Sequence, residues 1–184
     1  MTFDPTRHHR RSIRLPGHEY SDNGAYYITI RTFGRSHSLG RIEGTSISMS
    51  AEGIIADERW RAIPGHHPGV SIDAWVVMPD HVHGILIIDR EEPASPIEPD
   101  AVSDDCPRGP AAGSVGAIVG SFKAGVTRRI NLLRSTPDAT FWQRNYYEHV
   151  VRSEADLERI RRYIAENPAR WGRRRGTGMD TLLG

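Results

Sequence analysis

The chain has 184 residues, of which 38% are hydrophobic and 26% charged, a length and composition that suit one domain with its own core. No apolar run approaches the roughly 18 residues that span a bilayer, and the N-terminus lacks the apolar segment of a signal peptide, so we expect a cytoplasmic protein. The single cysteine, Cys106, excludes an intrachain disulfide and a cysteine-rich zinc site.

The net charge of +1 conceals a strong division of charge along the chain. Residues 89–105 hold seven acidic residues and one arginine, whereas the rest of the chain has 23 basic and 16 acidic residues, a balance of +7. Arginine suits phosphate because its planar guanidinium can bind two oxygens at once, so we expect a polyanion as partner. The alternative is that the basic clusters are solvated faces and tails. Those proposed for binding are Arg10, Arg11 and Arg14; Lys123, Arg128 and Arg129; and Arg173, Arg174 and Arg175.

The first half of the chain is predicted to form three main strands and one helix. Aromatic and β-branched residues at 26–32 predict the first strand, and residues 38–49 look like an irregular connection with a short strand. Apolar spacing predicts a helix from about Ala51 to Ile63, ended by Pro64-Gly65. Residues 70–78 and 81–88 predict two strands joined by a tight turn, because Pro79 breaks the pairing between them.

The second half of the chain is predicted to form a helix, a last strand and a final helix, in that order. Residues 89–113 are rich in Pro, Ala and acidic residues without periodicity, so we interpret them as a mobile insertion within a single domain covering 1–184. Residues 115–133 predict an amphipathic basic helix, and the last strand is expected within 141–151. A final helix is expected to begin at Ser153 and to stop at Pro168, before a basic C-terminal tail.

This order of elements predicts the fold class. Strand, helix, strand, strand, helix, strand is the order of a ferredoxin-like antiparallel sheet, an α+β fold with its helices on one face. The late helix would then lie across the sheet.

Two histidines on one predicted strand form a candidate metal site. Side chains alternate along a strand, so His81 and His83 point the same way, about 7 Å apart along the chain, while Val82 turns into the core. Both imidazoles can therefore address one metal ion. A His-x-His pair also occurs by chance in many soluble proteins. His8-His9 and His66-His67 would face opposite ways on a strand, and we interpret them as exposed loop or tail residues.

The final predicted helix carries a phenol and an amide on one face. Tyr163 and Asn167 are four residues apart, and Ile160 and Ile164 belong to a separate apolar stripe. A phenol near a divalent cation can lose its proton well below its usual pKa of about 10 and become a nucleophile. The amide oxygen of Asn167 is a plausible third ligand for a hard cation such as Mg²⁺. Tyr163 could instead be an ordinary packing residue.

Three segments together resemble the REP-associated tyrosine transposases, a branch of the IS200-like Y1 transposases in the HUH endonuclease superfamily. The segments are Met78-Pro79-Asp80-His81-Val82-His83, residues 142–152 and residues 162–168. Shorter similarities at 10–17, 20–21 and 120–123 extend the match, in order, from about residue 10 to 172.

The resemblance implies an endonuclease and ligase for single-stranded DNA. His81 and His83 would hold a divalent metal, Mg²⁺ or Mn²⁺, that polarises the scissile phosphate. Tyr163 would attack that phosphate, leaving a 5′-phosphotyrosine and a free 3′-hydroxyl. Related Y1 enzymes carry glutamine four residues after the tyrosine, where this chain has Asn167. The expected DNA is an imperfect hairpin of a repeated extragenic palindrome.

Several alternatives stay open at this point. Tyr146 and Tyr147 are rival nucleophiles, but we favour Tyr163 for its place on the last helix; they and Trp142 are interpreted as core residues or as platforms for stacked bases. Glu148 and His149 resemble an acidic-histidine pair of the family without an assignable role. The chain could also be a catalytically silent hairpin-binding protein or a metal hydrolase that activates water. A homodimer that shares its active sites is likewise open.

Overall fold

The computed structural model describes residues 23–90 and 110–175, with side chains as far as residue 171. Its strands are β1 (Gly24–Arg31), β2 (Gly40–Glu43), β3 (Ser46–Met49), β4 (Val70–Met78), β5 (His81–Ile88) and β6 (Tyr147–Val151), and its helices are α1 (Ala51–Arg61), α2 (Ile63–His66), α3 (Val115–Arg134) and α4 (Glu154–Arg175). No helix among these residues is long and apolar enough to cross a membrane. The predicted sites at Arg10, Arg11, Arg14 and the side chains of Arg173, Arg174 and Arg175 lie outside the described part, as does most of the predicted insertion.

The main sheet has four antiparallel strands in the order β4-β5-β1-β6. In chain order these are the second, third, first and fourth long strands, which is the ferredoxin-like arrangement. The predicted fold class is therefore confirmed. The hairpin of β4 and β5 pairs Met78 with His81, so Pro79 and Asp80 form the two-residue turn that the sequence predicts.

The sheet separates two packing layers. On one face, α1 and α3 pack against alternate residues of β1 and β5, with Trp60 edge-on to Phe122 at 5.3 Å between ring centroids. On the other face, α4 lies across the sheet and buries Ile160 and Ile164 against Ile85 of β5. The first face thus holds the two early helices as predicted, and the late helix covers the face to which odd-numbered residues of β1 and β5 point.

Helix α4 does not end where the sequence predicts. It continues through Pro168 to Arg175, so the prediction that proline stops it is wrong. Proline inside a helix costs about 3 kcal/mol relative to alanine because it removes a backbone donor. Pro168 is buried here, and Trp171 one turn later contacts His81, so packing on the sheet offsets that cost.

Two shorter segments also differ from expectation. Residues 38–49 contain the hairpin of β2 and β3 rather than one short strand. Helix α1 ends at Arg61, and Pro64-Gly65 lie inside α2 instead of ending the first helix. Proline fits the first turn of a helix because the N–H of that position needs no helical partner.

Candidate active site

His81 and His83 lie side by side on β5, beneath α4. Both are buried, with 7% and 5% of their surface exposed, and their Nε2 atoms are 2.8 Å apart. Val82 between them is fully buried in the core on the opposite face. The prediction that the two imidazoles share one face is confirmed.

Each imidazole is held at its other nitrogen by a different kind of partner. The Asp80 carboxylate accepts from His81 Nδ1, whereas the Nδ1 of His83 lies 2.7 Å from the Tyr27 hydroxyl and 2.9 Å from Thr29 Oγ1. If these oxygens accept the Nδ1–H, both Nε2 lone pairs are directed at the space above the sheet. The backbone carbonyl of Asp80 accepts from Thr32 N at 2.9 Å, which fixes the turn before the pair.

The protonation states follow from burial and from the neighbouring charges. Burial holds the pKa of His83 well below 6.5, and the charges of His81 and Arg31 act in the same direction. Burial would raise the pKa of Asp80, but the hydrogen bond and charge of His81 outweigh it, so this pKa is lowered. Burial raises the pKa of Tyr27, with smaller contributions in the same direction from its tyrosine neighbours. Near neutral pH the site therefore contains a carboxylate, a neutral imidazole and an intact phenol.

Helix α4 brings Tyr163 to this pair from a distant part of the chain. The Tyr163 ring lies 5.4 Å from that of His83 and edge-on to Tyr27 at 6.3 Å. Two turns along the same face, Trp171 lies 5.6 Å from the ring of His81. Asn167 is buried between these two contacts, four residues from each, so one face of α4 runs along the histidine pair.

The rival tyrosines separate onto the two faces of the sheet. Tyr147 lies on the same face as His83, 43% exposed and edge-on to Tyr27 with ring centroids 6.1 Å apart. Tyr146 and Trp142 pack instead with the core under α1 and α3. The structure thus brings one rival nucleophile, Tyr147, to the candidate site.

The basic cluster of α3 lies on the other side of the sheet from the histidines. Lys123 Nζ donates to the backbone carbonyls of Gln143 and Arg144 at 2.6 and 2.9 Å, and burial lowers its pKa. Arg129 pairs with Glu58 at 2.7 Å. Arg128 and Lys123 line a groove of about 950 Å³. Because α3 packs on the face of the sheet opposite the histidines, these cations are not brought to the histidine pair.

Four site residues were missed by sequence reasoning. Tyr27, Thr29 and Arg31 alternate on β1, where Thr29 pairs with His83 and Arg31 with His81. Asp80 belongs to the quoted motif, but nothing in the sequence gave it a function. The alternation along β1 was visible in the sequence, whereas its register against β5 was not.

The donor set fits a divalent cation. Neighbouring ligands of an octahedral ion at about 2.1 Å are about 3.0 Å apart, close to the 2.8 Å between the two Nε2 atoms. A metal-bound imidazole must be neutral, as burial makes His83. Within residues 23–90 and 110–175 no third His, Cys, Asp or Glu completes a metal-binding group. The Asn167 amide on the facing helix is the candidate third ligand from the chain.

The fold is similar to that of a solved REP-associated tyrosine transposase. The structure superposes on that of such a transposase bound to a REP hairpin, with a TM-score of 0.59 and 18% identity, covering 93% of this chain and 92% of that chain. In sequence, the chain is 36% identical over 165 residues to an uncharacterised protein of Haemophilus influenzae, covering 89% of this chain and 91% of that protein. The chain belongs to the same family as that protein. No family model matches the sequence.

Proposed function

We propose that this chain is a metal-dependent endonuclease and strand transferase that acts on single-stranded DNA near REP-type hairpins. The observation that carries the proposal is the contact between Tyr163 and His83, at 5.4 Å between rings, beside two imidazole nitrogens 2.8 Å apart. A phenol and two metal-ligating groups meet in one place although α4 and β5 are far apart in sequence. The structure that shares this fold is bound to a REP hairpin, which supports hairpin DNA as the partner.

The chemistry is a transfer of one phosphoryl group. The Tyr163 oxygen attacks the scissile phosphorus, the bond from phosphorus to the 3′ oxygen breaks, and the 5′ phosphate becomes a tyrosine ester. The phenolic proton passes to water, and the departing 3′ oxygen takes up a proton. Attack by a 3′-hydroxyl on the ester reverses these steps and joins strands. This transfer depends mainly on positioning and on neutralising charge.

The residues around Tyr163 have distinct functions in this proposal. His81, His83 and Asn167 would hold Mg²⁺ or Mn²⁺, which when bound supplies positive charge to the phosphate and to the departing oxygen. Asp80 holds His81 in position, and Tyr27 with Thr29 does the same for His83. Tyr27 itself is a poor nucleophile, because burial raises its pKa and keeps the phenol protonated.

The test is formation of a covalent complex between protein and DNA. A labelled hairpin oligonucleotide with single-stranded flanks is incubated with Mg²⁺ or Mn²⁺ and analysed on a denaturing gel. We expect a shifted band that Tyr163→Phe and His81→Ala abolish and that Tyr146→Phe and Tyr147→Phe retain. A band lost in Tyr147→Phe alone would assign the nucleophile to Tyr147. Hairpin binding without any band would favour the silent binding protein. The cytoplasmic location and the homodimer stay predictions.

A further inference from the structure

Two exposed side chains border the buried histidine cluster on the same face of the sheet. Arg31 is the last residue of β1 and pairs with His81, and it is exposed. Tyr147 is the first residue of β6 and pairs with Thr29, and 43% of its surface is exposed. Arg31 and Tyr147 are therefore diagonal neighbours on adjacent strands, a separation of about 7–8 Å that long side chains can bridge.

Arg31 is an exposed cation at the rim of this site. Among the described residues it forms no ion pair, whereas Arg129 and Arg134 of α3 are paired with Glu58 and Glu52. A guanidinium on the rim can bind two oxygens of one phosphate.

Tyr147 presents an aromatic surface on the edge strand. Its ring is held edge-on by Tyr27, with centroids 6.1 Å apart and an interplanar angle of 68°. An aromatic ring that is supported on one side and open on the other suits a stacked base, because every base has a flat π-face.

We propose that Arg31 and Tyr147 form a nucleotide subsite for single-stranded DNA beside the histidine pair. Arg31 binds a backbone phosphate, and Tyr147 stacks on one base of the same strand. The inference rests on the proposed function, because it describes where on the protein surface the DNA strand that Tyr163 would cleave is bound. The strand enters across the end of β1 and the start of β6, rather than along the basic face of α3.

The test measures DNA binding without cleavage, in EDTA, by fluorescence anisotropy. One probe is a labelled REP-type hairpin with a single-stranded flank of about ten nucleotides, and the other is the same hairpin without a flank. We expect Arg31→Gln and Tyr147→Leu each to weaken binding of the flanked probe about tenfold, the size of one stacked base or one charged contact. Tyr147→Phe keeps the ring and should keep the affinity. Arg31→Gln should also make the binding affinity less dependent on salt concentration, by the contribution of about one phosphate contact.

Arg61→Gln is the matched control, because it removes an exposed arginine of α1, which packs on the face of the sheet opposite the histidines. It should leave both probes bound as in the wild type. The subsite would be overturned if the variants lost equal affinity for the flanked and the blunt hairpin, or if Arg31→Gln and Tyr147→Leu lost no affinity. It would also be overturned if the wild type bound both hairpins with the same affinity. If these losses occur but no covalent band forms, the proposed function fails and the subsite stands. If the band forms and both variants bind normally, the subsite alone fails.

Discussion

Removing one hydroxyl from the candidate site should weaken metal binding without disturbing the fold. Tyr27→Phe keeps the aromatic ring that stacks on His83 at 5.6 Å but removes the oxygen 2.7 Å from its Nδ1. The Thr29 hydroxyl stays 2.9 Å from the same nitrogen, so the N–H keeps one acceptor. The stability cost should therefore be that of one neutral hydrogen bond, about 1 kcal/mol.

The effect on the metal should be larger than the effect on stability. Removing a partner that orients a metal-binding histidine typically costs 10–100-fold in metal affinity. Because Thr29 remains, we expect about a tenfold loss for Tyr27→Phe. The double variant Tyr27→Phe/Thr29→Val leaves the buried Nδ1–H of His83 without either acceptor, and there we expect a loss of about 100-fold.

The assay is a calorimetric titration of the DNA-free protein with Mn²⁺, combined with ¹⁵N NMR of the imidazoles. The wild type should show His83 protonated at Nδ1, and the double variant should shift the proton towards Nε2. Tyr26→Phe is the matched control, because Tyr26 is buried on the opposite face of the same strand. Unchanged Mn²⁺ affinity and an unchanged tautomer in the double variant would refute the reasoning that these hydroxyls orient His83.

Three further predictions concern stability. The unfolding free energy should fall as the pH drops below 6.5, because the unfolded chain then binds a proton that the buried His83 imidazole does not. His83 alone should contribute up to about 1.4 kcal/mol per pH unit. Urea titrations should show a weaker pH dependence of the unfolding free energy for His83→Gln, and an equal dependence in variant and wild type would contradict this. Gly84→Ala should lower the stability of the protein by about 1–3 kcal/mol, because a Cβ there would lie 2.2 Å from the Trp60 ring. An unchanged thermal unfolding temperature would argue against that packing. Gly120→Ala, on the exposed side of α3 with nothing within 4 Å, should instead stabilise by up to about 1 kcal/mol, and a loss in the same assay would count against an open helix face.

The main strands were predictable because their patterns are local. The β-branched and apolar runs of β4 and β5, with the proline between them, predicted both strands and their turn. The end of α4 was not predictable in this way, because proline is a local signal and the packing of Pro168 and Trp171 on the sheet overrides it. The hairpin of β2 and β3 was missed because its strands have only four residues each.

The candidate site was predictable where it depended on spacing within one element. His81 and His83 share a face of one strand, and Tyr163 shares a face of one helix with Asn167. Their meeting, and the hydroxyls that hold His83, depend on the register of β1 against β5 and on the crossing of α4, which no local pattern encodes. For the same reason the sequence could not place the α3 cations on the far face of the sheet.

The position of the covalent bond tests the central claim most directly. The DNA-linked protein is digested with nuclease and trypsin, and the peptide carrying a nucleotide is identified by mass spectrometry. Trypsin separates the candidates, since Tyr163 lies in the peptide 163–170 and Tyr147 in the peptide 145–152. We expect a nucleotide joined through its 5′ phosphate to the Tyr163 oxygen. A nucleotide joined to Tyr147 or Tyr27, or cleavage that leaves no tyrosine modified, would contradict the assignment of Tyr163 as the nucleophile.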